Sequence, residues 1–163
     1  MSEFANLRDG GRQLAAALLG AIDGVPEPIL LACMPNGVPV ALGIREVIDI
    51  PVLALPVQRS DTGVVIAPMK ELAGRNVIVV DDGVESGSVA RAAAVALLAS
   101  DVESMSLAVP VCARVAEADL RHRYDQVVTL VRPLVHRDLA SHFDDFDTID
   151  EAEATRLLAE GPA

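Results

Sequence analysis

Between Asn76 and Ser100 the chain reads NVIVVDDGVESGSVARAAAVALLAS: an apolar run, two aspartates, a short loop of glycine and serine, then an alanine-rich amphipathic segment. The run VIVV is short, continuous and rich in β-branched residues, as in a strand buried on both faces, and such strands belong to parallel sheets covered by helices. The loop then feeds a helix expected over Gly87–Leu98. A strand that gives way to a helix through a glycine-rich loop leaves an α/β layered architecture as the simplest home for the chain.

The flanking sequence repeats the alternation. Leu7, Gly11, Leu14, Leu18 and Ile22 recur at spacings of three and four, which predicts a first helix ending near Gly24. Pro26 and Pro28 break the chain before ILLAC, Ile29–Cys33, a second continuous apolar strand, and MPNG turns out of it. Val38–Ile48 reads as a helix with Pro39 tolerated in its first turn. Pro51–Val57 follows as a strand, with Pro56 marking an edge or a strand end. SDTG at Ser60–Gly63 has the chemistry of a hairpin turn. Ser106–Cys112, Ala113–Tyr124 and Gln126–Val131 give strand, helix and strand, and Asp150–Glu160 a closing helix with Asp150 and Glu153 spaced as a capping pair. The expected fold is α/β, with a central, mostly parallel sheet flanked by helices.

Composition narrows the function. A chain of 163 residues supports one core, so a single domain over 1–163 is expected. Aromatics are only 2%, which leaves Val, Leu, Ile and Ala to fill it. The formal charge of −11 repels a polyphosphate backbone, so nucleic acid is an unexpected partner. Cys33 and Cys112 sit in apolar runs without metal-ligand spacing and read as buried, reduced thiols. His122, His136 and His142 share no short spacing and are assigned no metal role. The opening MSEFANLRDGG lacks a basic segment followed by an apolar one, and no apolar run approaches a membrane span. A cytoplasmic protein is expected, with an apolar content that allows a homodimer but does not mark its interface. The acidic tail Asp144–Glu153 reads as a solvated face.

The chemistry concentrates where the opening strand ends. In parallel sheets ligands gather at the carboxyl ends of strands, where helix N-termini bring unpaired N–H groups. Gly83 and Gly87 let the backbone approach a ligand closely, while Ser86 and Ser88 add hydroxyl donors. This outlines a phosphate cradle. It has neither the lysine of a Walker loop nor a G-x-G-x-x-G. Asp81 and Asp82 would repel a bare anion, but they suit a ligand that also carries hydroxyls or a divalent cation, as a phosphorylated sugar with Mg²⁺ does.

VIVVDDGVESGSV resembles the phosphoribosyl-pyrophosphate (PRPP) motif of type I phosphoribosyltransferases, in which strand residues, two acids and a Thr/Ser/Gly loop follow in that order. LLACMPNGVPVALGIREVI, ELAGRNVIVVDDG and FDDFDTIDEAEATRLL are similar to segments of a bacterial branch of that family. The resemblance implies a parallel core with a small hood, and a reaction that moves the phosphoribosyl group of PRPP to a nucleobase or related acceptor. It implies that Val84, Glu85, Ser86, Gly87 and Ser88 line the 5′-phosphate, that Asp81 and Asp82 meet the ribose and Mg²⁺, and that Pro35, Asn36 and Gly37 form the pyrophosphate loop. Arg59 falls where the branch commonly has lysine, preserving the charge, and the resemblance implies a catalytic role for it beside Glu85. Glu85 matches a position often held by a carboxylate that exchanges a proton with the base; its alternative is a solvent-facing charge near a helix N-terminus.

The sequence also departs from that pattern. Pro35 stands where the branch usually has arginine, Val89 where threonine is common, and the chain between Arg59 and Val77 is short, leaving a small hairpin in place of a long excursion. A cation and much of a cover are therefore missing. A non-catalytic PRPP- or nucleotide-binding sensor on the same fold is the alternative.

Overall fold

The computed structural model describes residues 2–134 and 138–160. His136 lies outside them. Five parallel strands form the central sheet: β1 (Ile29–Cys33), β2 (Val52–Leu55), β5 (Asn76–Val80), β6 (Ser104–Val111) and β7 (Gln126–Val131), in the order β2-β1-β5-β6-β7. β1 is buried at every position and β5 at all but its first, as continuous apolar runs require. β2 is one of the two edge strands, and Pro56 follows its last residue, where no ladder donor is needed. The hairpin expected around SDTG is present as β3 (Gln58–Ser60) and β4 (Gly63–Val65), with Arg59 opposite Val64.

Helices cover both faces. On one side lie α1 (Leu7–Ala21) and α2 (Gly37–Arg45), over a core that includes Leu14, Leu30, Ile44 and Val80. On the other, α3 (Ser88–Ala99) presents Ala90, Ala93 and Leu97 to Leu31, Val79 and Leu107. α4 (Arg114–Leu120) and α5 (Glu151–Glu160) complete the set, and Asp150 Oδ1 accepts from the Glu153 N–H at 2.8 Å as the capping pair requires. Among the described residues no helix is long and apolar enough to cross a membrane.

Two expectations need correction. The helix predicted over Ala113–Tyr124 stops at Leu120, because the chain turns to bury Tyr124, whose hydroxyl donates to the Ala90 carbonyl at 2.6 Å. The acidic tail is more than a solvated face: Asp147 Oδ1 accepts from the N–H of Leu7 at 3.0 Å, satisfying a free amide in the first turn of α1. Cys33 and Cys112 are buried free thiols, as expected.

Candidate functional site

A cavity of ≈ 190 Å³ opens at the carboxyl ends of β1, β5 and β6. Its inner wall is apolar and includes Cys33, Val79 and Leu107; Asp81, Asp82 and the following loop form the polar side. That polarity follows from the sequence order, since the sheet core ends at Val80 and the next two residues are charged.

Asp81 and Asp82 are half-buried side by side, and the Asp82 N–H donates to Asp81 Oδ1 at 2.8 Å. Burial, and then the charge of Asp82, pushes the Asp81 carboxyl well above its ordinary range. Asp82 is also raised, chiefly by burial. The Cys33 thiol is pushed up by burial and by both aspartates, which keeps it protonated and a poor nucleophile. A crowded acid pair is primed for partners that relieve its charge: hydroxyl donors or a cation.

The loop beyond is held open. Gly87 adopts φ 88°, in the left-handed region that favours glycine, and as N-cap of α3 it supplies no side chain to close the helix end. Four amides at a helix start lack intrahelical partners. Here the first intrahelical bond is made by the Arg91 N–H to the Gly87 carbonyl at 2.9 Å, so the amides ahead of it are candidates for an anion. Ser86 Oγ and Ser88 Oγ pair at 3.1 Å, and the Ser88 N–H reaches Ser86 Oγ only at 3.4 Å. Val84 differs from the rest of the loop. Its N–H donates to Val111 and its carbonyl accepts from Ala113, so it anchors the loop to β6 and has no free amide.

The other sequence candidates divide. Asn36 lines the cavity, and its Oδ1 accepts from the Ile149 N–H at 2.9 Å. Gly37 packs against β5 so tightly that a Cβ would stand 2.4 Å from the Val80 carbonyl oxygen. Neither Pro35 nor Gly37 lines the cavity. Arg59 does, reaching from the hairpin to donate to the Met34 carbonyl at 3.1 Å. Glu85 Oε1 accepts from the N–H of Leu139 at 3.0 Å, a partner that neither sequence reading of this residue considered.

Two further residues line the cavity, Leu139 and Cys33, and a third, Arg91, stands just outside it; the motif points to none of them. Leu139, at the start of a short 3₁₀ turn (Leu139–His142), covers Gly83, where a Cβ would meet its Cδ2 at 2.4 Å. Nothing local in the sequence signals that contact. Cys33, a core thiol by its apolar run, also lines the cavity. Arg91, one helical turn beyond Gly87, lies against the loop, and that spacing was a usable signal. Of the histidines, His122 is exposed, whereas His142 is buried with Nδ1 3.0 Å from the Glu3 carboxylate and Nε2 without a partner among the described residues.

A five-stranded parallel sheet of this order, with paired acids and an open helix N-terminus at its central strand and a small hairpin beside them, is a type I phosphoribosyltransferase fold. No protein-family model matches the sequence, and no curated protein matches it. Solved structures do. The protein TT1426 from Thermus thermophilus is similar with a TM-score of 0.84 and 21% identity over 100% of both chains. A hypoxanthine-guanine phosphoribosyltransferase from Bacillus anthracis is similar with a TM-score of 0.57 and 17% identity, covering 86% of this chain and 88% of its own. A Neisseria gonorrhoeae protein crystallised with bound ppGpp gives a TM-score of 0.55 and 18% identity, covering 99% of this chain and 100% of its own. At these identities the likeness shows the fold.

Proposed function

We propose that the protein binds PRPP with Mg²⁺ and transfers the phosphoribosyl group to a nucleobase or related small acceptor, releasing pyrophosphate. One observation carries the reading: the acid pair Asp81–Asp82 and the uncapped start of α3 border one cavity at the carboxyl ends of the central strands. The amides and hydroxyls of Glu85–Ser88 hold the 5′-phosphate, and Asp81 and Asp82 accept from the ribose hydroxyls. In the transfer, an acceptor nitrogen forms a bond to C1 of the ribose as the C1–oxygen bond breaks and its electron pair leaves with pyrophosphate. Charge on the sugar rises as in glycoside cleavage, and a water-poor, prearranged site is the main means of stabilising it.

The donor set fits Mg²⁺. Among the described residues no group of three or more His, Cys, Asp or Glu could hold a metal. Two hard carboxylates are nevertheless what a Mg²⁺ shared with substrate phosphates and water requires. Asp81 and Asp82 would hold it, directly or through ribose and water, and once bound it would neutralise diphosphate charge. Arg59 adds a cation on the hairpin side of the cavity. The side chain of Glu85, the first residue of the phosphate loop, takes a proton from the acceptor once it exchanges the Leu139 amide for that role.

Calorimetric titration of PRPP in the presence of Mg²⁺ tests the reading: the wild type binds, and Asp81→Asn with Asp82→Asn weakens binding at least about tenfold, as expected when hydrogen bonds to charged groups are lost. No binding to the wild type at millimolar ligand sinks it. Pyrophosphate release across a panel of nucleobases then tests turnover.

A second reading, a nucleotide-binding sensor without turnover, is favoured by the loop at Pro35–Gly37, which brings no cation to the cavity, and by the engagement of Glu85 with a backbone amide. The Neisseria gonorrhoeae neighbour, crystallised with ppGpp, is consistent with it. Tight PRPP or nucleotide binding with no pyrophosphate release from any base would favour this second reading.

A further inference from the structure

The mouth of the cavity is short of positive charge. Asp81, Asp82 and Glu85 all border it, Arg59 is the one cation among its described lining residues, and a phosphorylated ligand brings more negative charge. A second guanidinium waits just outside. Arg91 Nη1 lies against the loop at Gly87, 2.9 Å from where a Cβ would stand, so glycine at that position makes room for the arginine as well as for the turn. Its pairing with Asp119 Oδ2 is long, 3.5 Å, and more than a third of each side chain is exposed. Asp119 also has a shorter partner in Arg123 Nε at 3.1 Å. Exposed pairs of this kind hold their members weakly.

We infer that Arg91 is a further phosphate-binding residue, which leaves Asp119 to Arg123 and turns its guanidinium onto the ligand phosphate at Glu85–Ser88. The inference rests on the reading of that loop as a phosphate site. Arginine suits the role because its planar fork can donate two parallel hydrogen bonds to phosphate oxygens. Asp119 then acts as a parking partner that competes with the ligand.

Three proteins decide the matter: the wild type, Arg91→Gln and Asp119→Asn, each titrated calorimetrically with ribose 5-phosphate and with PRPP plus Mg²⁺, and each checked for an unchanged thermal transition. Arg91→Gln is expected to weaken both ligands about tenfold or more, the usual effect of losing a charge-assisted hydrogen bond. Asp119→Asn is expected to leave affinity unchanged or to tighten it, because the competitor is gone. A merely structural ion pair would make the two variants weaken binding alike, and that result overturns the inference. So does undiminished affinity in Arg91→Gln when the wild type binds. A wild type that binds neither ligand overturns the phosphate-loop reading and this inference together.

Discussion

Asp81 shows how a carboxylate at the rim of a cavity can work against the fold. Its carboxyl is held above the ordinary range by burial and by Asp82, so the folded protein binds that proton more tightly than the unfolded chain does. The sign follows from linkage. Stabilisation by the protonated form is fully present below the unfolded value of about 3.9 and is lost as pH rises through the folded value. Asp81→Asn removes this carboxyl's share of the dependence and leaves the share of Asp82, which its own burial raises. It is expected to melt several degrees above the wild type at about pH 8, to show no such advantage near about pH 4, and to bind PRPP poorly at either pH; thermal scans across pH check the first two. Equal melting shifts at both pH values would mean that the carboxyl is not strained in the folded state.

The helices pack by a different logic, and two glycines of the α1–α2 contact expose it. A Cβ on Gly11 would stand 2.0 Å from the Val40 carbonyl oxygen, and one on Gly43 2.1 Å from that of Arg8. Both obstacles are helix backbone and cannot rotate away. Gly43→Ala is therefore expected to destabilise by about 1–3 kcal/mol through overpacking, despite alanine's better helix propensity. Gly20, exposed near the end of the same α1, has nothing within 4 Å of its Cβ position. Gly20→Ala should stabilise by roughly 0.5–1 kcal/mol. Urea denaturation of the two variants reads opposite signs for one chemical change. The contrast also marks what sequence conveys. Gly11 fell on the predicted helix face by periodicity, but no pattern says that a second backbone sits on it. Strands β1 and β5 were legible because an unbroken apolar run has few other uses. The early end of α4 was not, since it depends on Tyr124 reaching a carbonyl 34 residues away.

The site divides in the same way. That Asp81 to Ser88 share one cavity wall could be read because one contiguous segment carries both acids and the glycine-serine turn that starts α3. The partners of Glu85, Asn36 and Arg59 could not, because Leu139, Ile149 and Met34 lie 54, 113 and 25 residues away. Two of those partners belong to one segment, and the chain's sparse aromatics explain its placement. All three phenylalanines meet: Phe4 lies 5.3 Å from Phe143, which lies 5.3 Å from Phe146. Backbone bonds from Phe4 to the His142 carbonyl and from Asp144 to the Phe4 carbonyl, with the contact of the buried His142 to Glu3, tie the N-terminal residues to this segment. The same stretch then offers its Leu139 amide to Glu85 and its Ile149 amide to Asn36. Clasp and site are thus mechanically joined. Phe143→Ala is expected to cost about 3–5 kcal/mol by urea denaturation, as for other buried aromatic truncations. Under conditions where the variant stays folded, hydrogen exchange should quicken at Leu139 and Ile149 while the β5 amides keep their protection, because local opening is drawn from the weakest unit first. PRPP affinity should change with it, since Glu85 and Asn36 lose their restraints together. Exchange that speeds equally in β5 and in this segment would show that the aromatic cluster supports the whole core and has no particular hold on the site.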